Sequence, residues 1–179
     1  MSDEKKQEIE KIFRESNSST ELFDAFRIAI SNKIPDSDLY KTLLWNKVLS
    51  ADEIAMYAEK ITKEFPENSY NIFLWAGQIY GASSVFGEYH ESAVKYFKKA
   101  ALINESTAEP YILLAGTYNK ELNIPPFDDL ISILEDGIEK TQEKSRLCFI
   151  ISDLYMQKGN IENSRRFRSL GERYQKDKS

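Results

Sequence analysis

The chain has 179 residues, enough for one domain with a sizeable core or for a short stack of helix pairs. Its formal net charge of −5 and pI near 5.1 give no overall attraction to phosphate backbones, so nucleic acid is not an expected partner. A single cysteine excludes an intramolecular disulfide, no apolar run approaches the length of a membrane span, and MSDEKKQEIE lacks the apolar stretch of a secretory signal; a soluble cytoplasmic protein without membrane insertion is expected.

Helical periodicity begins at once. Ile9, Ile12 and Phe13 share a stripe in a segment expected to run over 3–16. Over 19–32, Leu22, Phe26 and Ala29 share a second, with Phe23 and Ile30 on the stripe beside it, so both helices present apolar faces that need a neighbour. Between them Ser18 and Glu21 have the spacing of a capping box, in which the serine oxygen accepts a free N–H of the first turn and the glutamate reaches back. The same spacing recurs at Ser50/Glu53 and Ser106/Glu109, and Pro35 and Pro66 mark stops. Further helices are expected over 36–48, 51–65, 69–83, 89–103, 107–121, 127–140, 143–157 and 161–176, about ten in all. The prolines of NIPPF suit helix entry, where a missing N–H costs little. No alternating Val/Ile run asks for a strand, and the short connections favour antiparallel neighbours.

Three of these segments repeat one spacing. In FLWAGQIY, YILLAGTY and CFIISDLY a tyrosine (Tyr80, Tyr118, Tyr155) follows seven residues after Phe73, Tyr111 or Cys148, with Gly77, Ala115 or Ser152 between. In the segments that follow, Ala93, Leu130 and Ser164 precede Ala100, Gly137 and Gly171 by seven residues, and small residues at that interval let helices approach closely. Ala93 to Tyr111 and Leu130 to Cys148 are both eighteen residues, so the link between pairs is constant and only the turn within each pair varies. The turn is shortest in YMQKGNIENS, and insertions fall where a stack of helix pairs tolerates them.

In these spacings the chain resembles the tetratricopeptide-repeat family over residues 70 to 176, with YMQKGNIENSRRFRSLG, including Gly159, the closest copy. It departs at Leu130, where a small residue is usual, in two overlong turns, and in lacking a closing proline after Ala100 and Gly137. A fourth unit is read upstream, where Ala55 keeps the eighteen-residue spacing to Phe73. The resemblance implies an all-α, right-handed superhelical stack of antiparallel helix pairs, an α-solenoid. The chain is read as a single domain over 1–179, with N-terminal helices over 1–66 and three clearer repeats over 67–179.

Residues that could carry chemistry have structural readings. His90, the only histidine, falls beside a turn, and Cys148 lies on an apolar stripe with no base nearby. Asp128 and Asp129 stand at a helix start, where negative charge is favourable; adjacent carboxylates such as Glu135 and Asp136 point apart on a helix. No phosphate-loop motif occurs. No catalytic residue, metal site or cofactor is expected. The arginines of RRFRSLGERYQK are read as a solvated outer face, with Phe167, Leu170 and Tyr174 turned inward; binding of an acidic partner segment is the alternative.

In the family that the chain resembles, the first helix of each unit lines a groove. Carried over position by position, that groove would be lined by Leu74, Gln78 and Gly81; by Ile112, Gly116, Asn119 and Lys120; and by Phe149, Asp153, Met156 and Gln157. The lysine and asparagine that clamp chaperone-tail carboxylates in some members are missing at the Leu74/Gln78 type of position. The expected function is a non-enzymatic adaptor or scaffold that holds a protein or peptide partner through Leu74, Ile112, Phe149 and Met156, with hydrogen bonds from Gln78, Asn119 and Gln157. Two alternatives stand beside it. One is a secretion-type chaperone; the other is a self-associating structural subunit, a homo-oligomer, using Tyr40, Trp45 and Tyr57 as exposed faces.

Overall fold

The computed structural model describes residues 3–82 and 89–177, and every regular element among them is helical. The ten α-helices there are α1 (Asp3–Glu15), α2 (Ser19–Ser31), α3 (Ser37–Leu44), α4 (Ala51–Glu64), α5 (Ser69–Gly81), α6 (His90–Ile103), α7 (Glu109–Gly116), α8 (Phe127–Lys140), α9 (Lys144–Gln157) and α10 (Ile161–Lys176), with a 3-10 turn at Pro66–Asn68. The all-α expectation holds. The chain forms two compact units, Met1–Ile79 and Tyr80–Ser179, with the boundary inside α5. The expected end of the fifth helix at 83 and most of the turn after Tyr80 lie outside the described residues.

Two helices stop short of the expected ends, each near an asparagine. α3 ends at Leu44 rather than 48, where the Asn46 side chain accepts the N–H of Val48 at 2.9 Å. α7 ends at Gly116 rather than 121, and Asn119 Oδ1 accepts the N–H groups of Glu121 and Leu122, both at 3.0 Å. A short side-chain acceptor offers the backbone an alternative to the helical ladder. Asn119 and Ile124 also exchange backbone hydrogen bonds at 2.7 and 3.2 Å, which commits this stretch to a loop.

The caps divide the same way. Ser50 and Glu53 form the full reciprocal box. Ser18 accepts the Glu21 N–H at 3.3 Å, but the Glu21 carboxylate takes the Ser16 hydroxyl instead of reaching back. Ser106 caps nothing: its hydroxyl donates to Asn104, and Thr107 accepts the Glu109 N–H at 3.3 Å, because α7 begins later than the spacing implied.

In the first unit the core is built from Phe13, Leu22, Phe26, Leu43, Leu44, Ile61 and Ile72, with Tyr40 and Tyr57 fully buried among them. Each such side chain contributes about 1.5–3 kcal/mol on leaving water. Phe26 meets Tyr57 edge-on at 4.7 Å between centroids, and Tyr40 stacks on Phe65 at 5.6 Å. The Tyr40 hydroxyl donates to the Ile34 carbonyl at 2.9 Å, which satisfies a phenol that burial pushes far above its ordinary pKa. The buried Asn46 amide donates to the carbonyls of Phe13 and Ser16, each at 3.0 Å, and so closes the C-terminal end of α1 from 33 and 30 residues away. Asp36 caps α3. Burial alone would raise its carboxyl, but Lys6 and the N–H groups of Leu39 and Asp38 outweigh that and hold it below the usual range.

In the second unit α6 adjoins α7, α7 adjoins α8, α8 adjoins α9 and α9 adjoins α10, with α7 also touching α9. Each repeated tyrosine meets an aromatic ring of the helix that follows: Tyr80 on Tyr96 at 5.5 Å, Tyr118 on Phe127 at 5.7 Å, and Tyr155 on Phe167 at 5.7 Å. Such pairs add about 0.5–1.5 kcal/mol beyond their buried area. The small residues sit at the close approaches. Ser152 and Ser164 share a buried hydrogen bond of 3.1 Å, and a Cβ at Gly171 would come within 2.8 Å of the Phe149 ring. At Gly137 it would come within 2.8 Å of Tyr111.

Candidate functional site

α9 carries the largest set of expected groove residues. Leu147, Cys148, Ile151, Ser152 and Leu154 are buried, which leaves Asp153, Met156 and Gln157 exposed on the outer stripe, Met156 at 51%. Phe149 is half-buried, with its ring lying over Gly171 of α10; it braces the hairpin as well as facing outward. The helix ends in a Schellman turn: Asn160 N–H donates to Tyr155 O and Gly159 N–H to Met156 O, both at 2.9 Å, with Gly159 at φ 76°.

On α7, Ile112 is half-buried and Gly116 has open space above it. Asn119 and Lys120, expected on the same helical face, lie in the loop beyond the shortened helix, so they share no register with Ile112. Asn119 spends its side-chain oxygen on that loop. In the first unit Leu74 is only 8% exposed and packs inward rather than presenting itself to a ligand, while Gln78 on the same helix is half-buried. The structure thus groups Asp153, Met156 and Gln157 on one stripe and takes Asn119 and Lys120 off the helical face of Ile112, while Leu74 is buried within the first unit.

The faces expected to self-associate are corrected as well. Tyr40 and Tyr57 are buried, leaving Trp45 exposed at 62% beside Trp75, whose indole N–H donates to Lys41 O at 3.1 Å. Among the described residues several depressions fall outside the expected set, two of which bear on function. In the second unit one of about 570 Å³ opens between α6 and α8, with Lys95 and Lys98 on one wall and Asp129 and Asp136 on the other. In the first unit α2 and α4 enclose an apolar one of about 420 Å³ that includes Phe23 and Met56. The signal for the latter was the second stripe of α2, Phe23 and Ile30, which is more apolar surface than one neighbour needs.

The reactive side chains have structural settings. Cys148 is buried, and burial pushes its thiol up to about 11, which keeps it protonated and unreactive near neutrality. Asp128 and Asp129 are exposed in the first turn of α8, and His90 opens α6 half-buried. Arg165, Arg166 and Arg168 are exposed while Phe167 is buried and Leu170 and Tyr174 are half-buried. Among the described residues no three His, Cys, Asp or Glu side chains gather as metal ligands, and no helix is long and apolar enough to cross a membrane. Comparison with protein-family models, curated proteins and solved structures gives no match to this chain.

Proposed function

We propose that this chain is a non-catalytic protein-interaction module whose second unit is a right-handed stack of tetratricopeptide-like helix pairs. The observation that carries this reading is the recurrence of one closure, Tyr118–Phe127 and Tyr155–Phe167 in the α7–α8 and α9–α10 pairs, with Tyr80–Tyr96 repeating the ring contact at the start of the unit. The α9–α10 pair, closed internally in this way, leaves the outer stripe of its first helix to a partner. The partner-facing surface is the α9 stripe of Asp153, Met156 and Gln157, supported by Ile112, and it suits a protein segment held by one apolar anchor flanked by hydrogen-bonding groups. Affinity capture from the native cell tests it, with Met156→Lys/Gln157→Lys as control. Both positions are exposed, so melting should not change. Proteins enriched by the parent chain and lost with the variant support the reading; an identical captured set would remove this stripe from consideration.

A further inference from the structure

The groove between α2 and α4 offers a different surface in the other unit. Phe26 lines it and packs edge-on against Tyr57 of α4, so one buried ring pair lies beneath the groove. Phe23, 42% exposed, and Met56, 46% exposed, stand on opposite walls, and Ile30 extends the apolar lining. From Phe23 to Ile30 is seven residues, about 10 Å or two turns of helix axis. In an acidic protein, the charged side chains that line this groove are both cationic, Arg27 and Lys60. Arg27 is held there over the Phe23 ring, 5.9 Å from its centroid. Each cation has a carboxylate on its own helix, Asp24 at 4.0 Å and Glu64 at 2.6 Å. Exposed pairs of this kind are worth only about 0.3–0.5 kcal/mol, so either cation can re-pair with an incoming carboxylate at small cost.

These features select an occupant. An extended peptide would turn unpaired N–H and C=O groups toward a wall whose only uncharged polar side chain is Ser31. A helix satisfies its own backbone and brings apolar side chains at i, i+3 or i+4, and i+7, which matches the two-turn length. Carboxylates beside that stripe meet Arg27 and Lys60, whereas lysines there would be repelled. We propose that the α2–α4 groove is a docking site for an amphipathic helix of a partner protein, with a two-turn apolar stripe bordered by Asp or Glu. The site is separate from the α9 stripe, and the two can fail independently.

The test uses two fluorescein-labelled synthetic helices with the same Leu/Phe stripe, one bordered by Glu and one by Lys, titrated with the full chain at low ionic strength. The Glu peptide should bind at least roughly tenfold more tightly than the Lys peptide. Arg27→Glu/Lys60→Glu should reverse that preference, and Phe23→Asp should weaken both peptides by roughly tenfold or more. All three positions are exposed, and circular dichroism confirms that each variant stays folded. No saturable binding up to about 1 mM, equal affinity for both peptides, or indifference to Phe23→Asp overturns the proposal. So does dodecanoate binding that follows the same variants in the absence of peptide binding, which would assign the groove to a lipid anion. Concentration-dependent sedimentation abolished by Phe23→Asp would assign it to a second copy of the chain, and overturns the proposal equally.

Discussion

The α9–α10 and α7–α8 hairpins share a plan and differ in their turns. Both close a tyrosine on a phenylalanine at 5.7 Å and place a glycine of the second helix against an aromatic ring of the first. The first has the Schellman turn at Gly159 and a full-length leading helix; the second has a loop from Thr117 to Pro126 and a leading helix of only eight residues. The longer loop is not left loose. Lys158, from the turn of the neighbouring hairpin, donates to Asn123 at 3.1 Å and lies over the Tyr118 and Phe127 rings at 5.9 and 5.2 Å. Packing between helices is thus set by spacing that both hairpins share, while helix length is set by turn chemistry that they do not.

The sharpest way to break this comparison is Phe127→Ala. Phe127 touches Tyr118 in its own hairpin and Tyr155 in the next, at 5.7 and 5.3 Å, so its loss should cost about 3–5 kcal/mol in a denaturant titration. A cost below about 1 kcal/mol would show that the loop-bearing hairpin does not depend on its closure.

Next comes pH. Burial raises the Cys148 thiol from 9.0 to about 11, so the native chain keeps a proton that the unfolded chain gives up between those values. Stability from this group is complete below pH 9 and declines as pH rises through 11, by on the order of 2–3 kcal/mol. The phenols of Tyr111 and Tyr155 are also raised by burial and add to the decline at higher pH. Urea midpoints for the parent and Cys148→Ala should therefore converge as pH rises from 8 toward 11, and a constant gap would count against a well-sealed α9.

Glycine substitutions give a smaller, paired effect. Gly171→Ala drives a methyl into the Phe149 ring and Cys148 and should cost about 1–3 kcal/mol. Gly116→Ala enters open space at the end of α7 and should be neutral or stabilising by up to about 1 kcal/mol. Equal thermal shifts for the two would erase the distinction between close approach and free helix end. The Ser152–Ser164 contact gives a smaller loss than Gly171→Ala, and one that a second substitution undoes. Ser164→Ala alone strands a buried hydroxyl and should cost about 1–2 kcal/mol, whereas adding Ser152→Ala should recover most of that loss. A double variant as unstable as the sum of the single ones would show that the contact is not a hydrogen-bonded pair.

Much of the fold was legible because apolar periodicity and small-residue spacing report on burial. Ala93, Leu130 and Ser164 proved buried and the repeated tyrosines found their partners. Helix ends were less legible, for a reason visible in the residues: Asn46 and Asn119 sit in apolar-periodic surroundings, yet their side chains capture nearby N–H groups and stop α3 and α7. The early stop of α7 puts Asn119 and Lys120 off the expected face. Leu74 was misplaced for another reason, since a position that faces outward in a regular pair is 8% exposed here, on a helix whose stripe is apolar nearly all round. The Phe23–Met56 groove was half visible: the extra stripe of α2 could be read, but its opposite wall comes from α4, 33 residues later.

The Asn46 amide bonded to the Phe13 and Ser16 carbonyls has a consequence for synthesis of the chain. The end of α1 is completed by a residue made 30 positions after it, so a nascent chain that has emerged only through α2 carries a first helix with carbonyls still open to solvent. At about 5–20 residues per second that interval lasts on the order of seconds, during which α1 must hold together without its closing contact.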